Sequence, residues 1–129
     1  MLTKQNLMNR ILERFPDFQA KWQAHLDYWE GDEAGLCNDV AAFSQYVVGL
    51  IKEGNLDGLG AIFQMVEQVM DEGDPTARDA IATCFLENLI NQASAGNIPY
   101  SAFVGLLGPR SRAFCKAWDE FTGVPTEGL

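Results

Sequence analysis

Basic residues are scarce in this chain: nine Lys and Arg stand against eighteen Asp and Glu, a formal charge of −9. That balance opposes binding to phosphate backbones or anionic lipid. Lys4, Arg10, Arg14, Lys21, Arg110, Arg112 and Lys116 lie toward the two ends, interleaved with Glu13, Asp17, Asp119 and Glu120. Nucleic acid is therefore not an expected partner. Long apolar runs are missing as well. No stretch approaches the roughly 20 residues of a membrane span, and MLTKQNLMNR carries no leader-like apolar region. No membrane association is expected, and the expected compartment is the cytoplasm. Cysteine is sparse, with Cys37, Cys84 and Cys115 far apart and odd in number. A disulfide framework is not expected, and Cys84 and Cys115 read as small hydrophobes.

Histidine is scarcer still, with His25 alone. No serine sits in a nucleophile elbow, and no pair among His25 and the cysteines has the short spacing of a zinc site. The stretch Asn55-Leu56-Asp57-Gly58-Leu59-Gly60 lacks the Lys-Ser/Thr and the preceding strand of a phosphate loop. Asp32-Glu33 and Asp71-Glu72 with Asp74 lack the alternating ligands and distal Glu of a calcium loop. The chain is accordingly expected to be no enzyme, with no catalytic residue, metal or cofactor. His25, flanked in the helical sense by Lys21, Trp22, Tyr28 and Trp29, reads as the edge of an apolar stripe. A ligand binder or enzyme would instead show a deep pocket with perturbed carboxylates around Trp22, His25 or Trp29.

What is present is a core in helical period. Apolar residues make up 47% of 129 residues, including eight Phe, three Trp and three Tyr, enough for one domain spanning 1–129. Thr3 can cap a first helix, with Leu2 and Leu7 as a hydrophobic staple, and Pro16 ends it. Phe18, Trp22, Leu26 and Trp29 stripe a second, which stops in the acidic loop 30–36. Asn38 can cap a third carrying Val40, Phe43, Val47, Leu50 and Ile51, closed by Gly54-Asn55. A fourth runs from Leu56 to Met70. Asp74-Pro75 opens a fifth, a capping carboxylate followed by proline, and that helix ends near Gly96-Asn97. A short sixth starts near Pro99 and a seventh after Gly108-Pro109, with 123–129 expected to fray. No alternating strand pattern competes. The reading is all-α, with six to seven helices in antiparallel hairpins.

Gly31-Asp32, Gly54-Asn55, Gly73-Asp74 and Gly96-Asn97 are spaced 23, 19 and 23 residues apart. One helix pair thus repeats about every 42 residues, inside the roughly 40–47 of HEAT or armadillo units. Val40, Phe43, Val47 and Val48 fall in register with Ala82, Phe85, Leu89 and Ile90, whereas Phe63 meets Gly105. A HEAT-like stack and a generic antiparallel bundle both fit two units.

The acid is concentrated. From Asp27 to Glu87 there are thirteen Asp and Glu against only Lys52 and Arg78. Adjacent fourth and fifth helices would gather Asp57, Glu67 and Asp71 with Asp79 and Glu87, joined by the turn Asp71-Glu72-Gly73-Asp74. Glu30, Asp32 and Glu33 belong to the equivalent turn one repeat earlier. Tyr28 and Trp29 precede that loop, where aromatics beside charge serve as interface anchors. Alternatively Trp29 is core and Tyr28 half-buried. The candidate partner-binding set is Tyr28, Glu30, Asp32, Glu33, Glu67, Asp71, Glu72, Asp74 and Asp79, and the expected partner is a basic protein.

Leu2-Thr3-Lys4 with Phe15-Pro16, Asp39-Val40-Ala41-x-Phe43, Glu53-Gly54-Asn55 and Leu107-Gly108-Pro109-x-Ser111 together resemble a family of small helical bacterial proteins. Proteins of that kind accompany polymorphic or contact-dependent-inhibition toxins as immunity partners. The resemblance runs along nearly the whole chain and brings no catalytic motif or functional residue with it. It implies an immunity protein that neutralises a cognate toxin domain, a basic nuclease being the natural fit to an acidic inhibitor. The competing class is a HEAT-like adaptor without a toxin.

Overall fold

Thr3 and Asn6 open the first helix reciprocally: the Thr3 amide donates to Asn6 Oδ1 at 2.7 Å, and the Asn6 amide donates to Thr3 Oγ1 at 3.3 Å. The pair has the form of a capping box with Asn in the place of the usual Glu or Gln, closing the turn that leads to Asn6 at the N-cap. The computed structural model describes residues 2–129. They form seven α-helices: α1 (Leu7–Arg14), α2 (Gln19–Tyr28), α3 (Leu36–Lys52), α4 (Leu59–Glu72), α5 (Pro75–Ile81), α6 (Glu87–Ser94) and α7 (Pro109–Thr122). No strand occurs among the described residues. A π-helical segment, Ala82–Leu86, joins α5 to α6 in one continuous rod. The expected sixth helix is two 3₁₀ turns, Tyr100–Ala102 and Val104–Leu106.

Three local expectations change. Asn38 does not cap α3, which begins at Leu36 behind Gly35 at φ 89°. The Asn38 side chain instead donates through Nδ2 to the Ala34 carbonyl at 2.8 Å. The second helix is far less buried than its stripe implies. Phe18 is fully buried just before it, yet α2 itself contributes no buried side chain and Leu26 is 42% exposed. The tail 123–129 folds back, since Thr126 is buried and donates its amide and hydroxyl to the Asp119 carboxylate, both at 2.7 Å.

The repeat survives in its first helices and breaks in its second. Gly54 and Gly96 take positive φ at matching helix ends. There the Asn55 amide reaches the Leu50 carbonyl and the Asn97 amide reaches that of Gln92, each at 2.9 Å. These are paired Schellman closures of α3 and α6. Phe43 meets Phe85 with ring centroids 5.6 Å apart, and Asn88 donates to Ser44 at 3.3 Å. Both contacts keep nearly the repeat offset, so α3 and the rod run in the same direction, as equivalent helices of a stack do. The counterpart of α4 is replaced by the 3₁₀ turns and the start of α7. The substitution falls at Gly105, which supplies no side chain where α4 has Phe63.

The core is a column of rings. Phe18, Phe43, Phe63, Phe85 and Phe103 are all fully buried. Successive centroids are 5.1 Å (Phe18–Phe43), 5.6 Å (Phe43–Phe85), 5.8 Å (Phe63–Phe85) and 6.3 Å (Phe63–Phe103). All four distances lie in the favourable range for aromatic pairs. They link the start of α2 through α3 and the rod to α4 and the 3₁₀ turns.

The cysteines correct the sequence expectation. Cys37, in the first turn of α3, is bonded to Cys84 in the π segment, with Cα atoms 5.5 Å apart. Sequence spacing concealed the pair because the offset is 47 residues, and only parallel packing of α3 on the rod closes it. Cys84 is buried, as a small hydrophobe would be, but it is not free. Cys115 is free and buried, and burial pushes its thiol up to about 12, which keeps it unreactive. In the chain-entropy account, a bond closing a loop of this length contributes about 4 kcal/mol. Urea unfolding with and without a dithiol reductant is expected to show that loss. An unchanged midpoint would mean that the bond adds nothing to the fold.

Candidate functional site

The nine residues expected to form one acidic face fall into two groups. Glu67, on α4, reaches the start of α7. Its carboxylate accepts from the Arg110 amide at 2.8 Å and from the Ser111 amide and hydroxyl, both at 2.9 Å. Gly108 occupies the N-cap position and offers no side chain, so Glu67 caps α7 from another helix. The approach is close: a Cβ at Gly108 would lie 2.5 Å from the Glu67 side chain, which would have to shift and loosen the cap. Asp74 is also committed: Oδ1 accepts from the Ala77 amide at 2.8 Å and Oδ2 from the Lys4 amide at 3.2 Å. It caps α5 and ties the N-terminal segment to it. Asp71 pairs with Arg110 at 3.4 Å, with both side chains more than half exposed. Such a pair contributes at most about 1 kcal/mol. Glu72 and Asp79 are exposed on α4 and α5.

Glu67 and Asp74 therefore act inside the fold rather than on a free face. Sequence reading missed this because helix α7 has no capping side chain of its own, and a cap supplied 43 residues earlier leaves no local pattern. Glu67→Ala strands two amides and a hydroxyl, and is expected to cost about 2 kcal/mol. Asp79→Asn should stay within about 0.5 kcal/mol. Chemical unfolding of the two variants checks the contrast; equal stabilities would remove the capping role.

The remaining residues do come together, at the end of α2. Tyr28 is 80% exposed, and Glu30, Asp32 and Glu33 are exposed in the loop that follows. Glu30 holds φ 51°, the only positive φ on a non-glycine residue among those described. A left-handed glutamate costs roughly 1–2 kcal/mol. Trp29 is neither core nor free. It is partly buried, edge-on to His25 at 6.4 Å and to Tyr28 at 5.9 Å.

His25 is the hinge of this corner. Its Nε2 lies 2.8 Å from Asp39 Oδ1, with the two side chains 12% and 23% exposed. Trp22 flanks the imidazole at 5.4 Å on the side opposite Trp29 along the helix. The edge position expected for His25 is therefore correct in outline. Its partner Asp39 is the residue that sequence reasoning missed, since it stands 14 positions away in the first turn of α3. The bond fastens a helix that has little buried surface of its own.

Beside this pair lies an open cleft of 640 Å³ between α1, α2 and the acidic loop. Trp22, His25 and Trp29 form one wall, Met8 and Asn9 the other, and Asp32, Glu33 and Asp39 the acidic side. No group of three or more possible metal ligands is clustered among the described residues.

A family model described as "Domain of unknown function (DUF7674)" matches residues 8–123. The chain belongs to the DUF7674 family. No curated protein matches it, and neither does any solved structure. The DUF7674 match takes in Trp22, His25, Trp29, Asp39 and the whole acidic loop, together with Glu67 and the α7 start that it caps. Lys4 on the cleft rim and the folded-back tail lie outside the matched span.

Proposed function

We propose that this DUF7674 domain is a binding module for a basic protein, and that the corner formed by the end of α2 and the loop 30–35 is its docking surface. One observation carries the reading. Tyr28 stands 80% exposed among the exposed acids Asp27, Glu30, Asp32 and Glu33, on a helix with no buried side chain. Exposing a large aromatic ring forgoes burial that a partner can restore, and tyrosine is among the commonest interface anchors. The surrounding carboxylates steer a basic partner and fix its orientation.

Immunity against a toxin domain is the narrower form of this proposal, supported by the sequence resemblance and by the fit between an acidic inhibitor and a basic nuclease. An adaptor without a toxin uses the same corner. A neighbouring gene for a large secreted protein with a variable C-terminus favours the first. We read the domain as a binding module and not an enzyme, with the His25–Asp39 pair serving to hold α2 on α3. No helix is long and apolar enough to cross a membrane. The cytoplasm remains the proposed compartment, where Cys37 and Cys84 would stand as adjacent reduced thiols.

The test begins with a partner recovered from the native cells and then purified. Tyr28→Ala combined with Glu30→Gln is expected to weaken binding by about tenfold or more and to flatten its salt dependence. Affinity and salt dependence unchanged in the double variant would overturn the siting. Co-expression decides the narrower form, which requires the domain to rescue cells from the partner's toxicity.

A further inference from the structure

We infer that the cleft between α1, α2 and the acidic loop receives an arginine side chain, presented on a loop of the basic partner. The inference rests on the docking surface proposed above, which it deepens by naming the group that is gripped. The cleft shares Trp29, Asp32 and Glu33 with the Tyr28 corner and extends it to Trp22, His25 and Asp39.

The lining has the chemistry of a cation receptor. Trp22 and Trp29 present two indole surfaces on the same helix, one on either side of His25. The face of an indole ring attracts a cation, by about 0.5–1 kcal/mol when exposed and about 2 kcal/mol when desolvated. Three carboxylates border the same space, those of Asp32, Glu33 and Asp39, against the single ammonium of Lys4. The bond to His25 engages Asp39 Oδ1. The opposite sign of ligand is disfavoured by that balance, and an uncharged one gains nothing from it.

Arginine fits better than lysine for two reasons. Its planar guanidinium stacks on an aromatic face, and its forked N–H groups meet a carboxylate two at a time. The volume of 640 Å³ exceeds one side chain and leaves room for the flanking backbone of a protruding loop. The Asp39–His25 bond sets the orientation of the wall, since it fixes the helix that carries both tryptophans. His25 is thereby a positioning residue for the cleft.

The probe is N-acetyl-arginine amide, compared with the isosteric but neutral N-acetyl-citrulline amide, followed by NMR on the indole N–H signals. Trp118, on α7 and outside the cleft, serves as the internal control. Arginine amide is expected to shift Trp22 and Trp29 saturably and leave Trp118 in place, with citrulline amide about tenfold weaker. Asp32→Asn with Glu33→Gln, both on the exposed loop, should weaken arginine binding several-fold without disturbing the fold. Equal responses to the two amides, equal movement of Trp118, or indifference to the loop variants would overturn the inference. The two proposals fail separately. Saturating indoles with partner affinity untouched by the Tyr28 and Glu30 variants would remove the docking surface and keep the cleft. Loss of partner affinity in those variants with silent indoles would remove the arginine site alone.

Discussion

The contact between Phe43 and Phe85 decides where everything else in this domain can lie. It joins the two helices that repeat the same pattern, and its geometry sets them side by side and parallel. From that pair the column extends to Phe18 and to Phe63 and Phe103, which tie the start of α2, α4 and the 3₁₀ turns to it. Deleting a fully buried phenylalanine typically costs about 3–5 kcal/mol, a large share of the stability of a domain this size. The Cys37–Cys84 bond lies beside this pair and is a consequence of it: once α3 runs along the rod, the two sulfurs meet.

Charge is then distributed according to what the column leaves uncovered. Glu67 and Asp74 are drawn into capping because the starts of α7 and α5 need acceptors, and the negative end of the cap suits the helix dipole. Of the acid that remains free, Asp27, Glu30, Asp32 and Glu33 cluster at the end of α2, the helix with the least share of the core, while Glu53, Asp57, Glu72 and Asp79 lie exposed elsewhere. The aromatic residues Trp22, Tyr28 and Trp29 stand at the same end of the molecule, partly or largely exposed.

Much of the helical order was legible from periodicity and punctuation. Thr3, Pro16, Gly54-Asn55, Asp74-Pro75, Gly96-Asn97 and Pro109 each mark a boundary that the structure keeps, because each acts through local backbone chemistry. What escaped notice acts at a distance. The Glu67 cap, the His25–Asp39 bond and the disulfide join residues 43, 14 and 47 positions apart, and no short pattern encodes them. The stripe of α2 misled for a related reason. Apolar spacing shows which side chains share a face, but burial depends on whether another element arrives to cover that face. Only Phe18 meets the column fully, while Leu26 stays exposed and the two tryptophans border a cleft.

The architecture is thus unequal, a ring-locked centre carrying a lightly held edge. Helices anchored through few buried contacts open locally at a fraction of the global unfolding free energy. Native-state hydrogen exchange, read amide by amide, tests this most directly. The amides of α3 and of the α5–α6 rod should exchange only through global unfolding, while those of α2 from Gln19 to Tyr28 exchange through openings several kcal/mol lower. Protection of α2 equal to that of α3 would contradict the account.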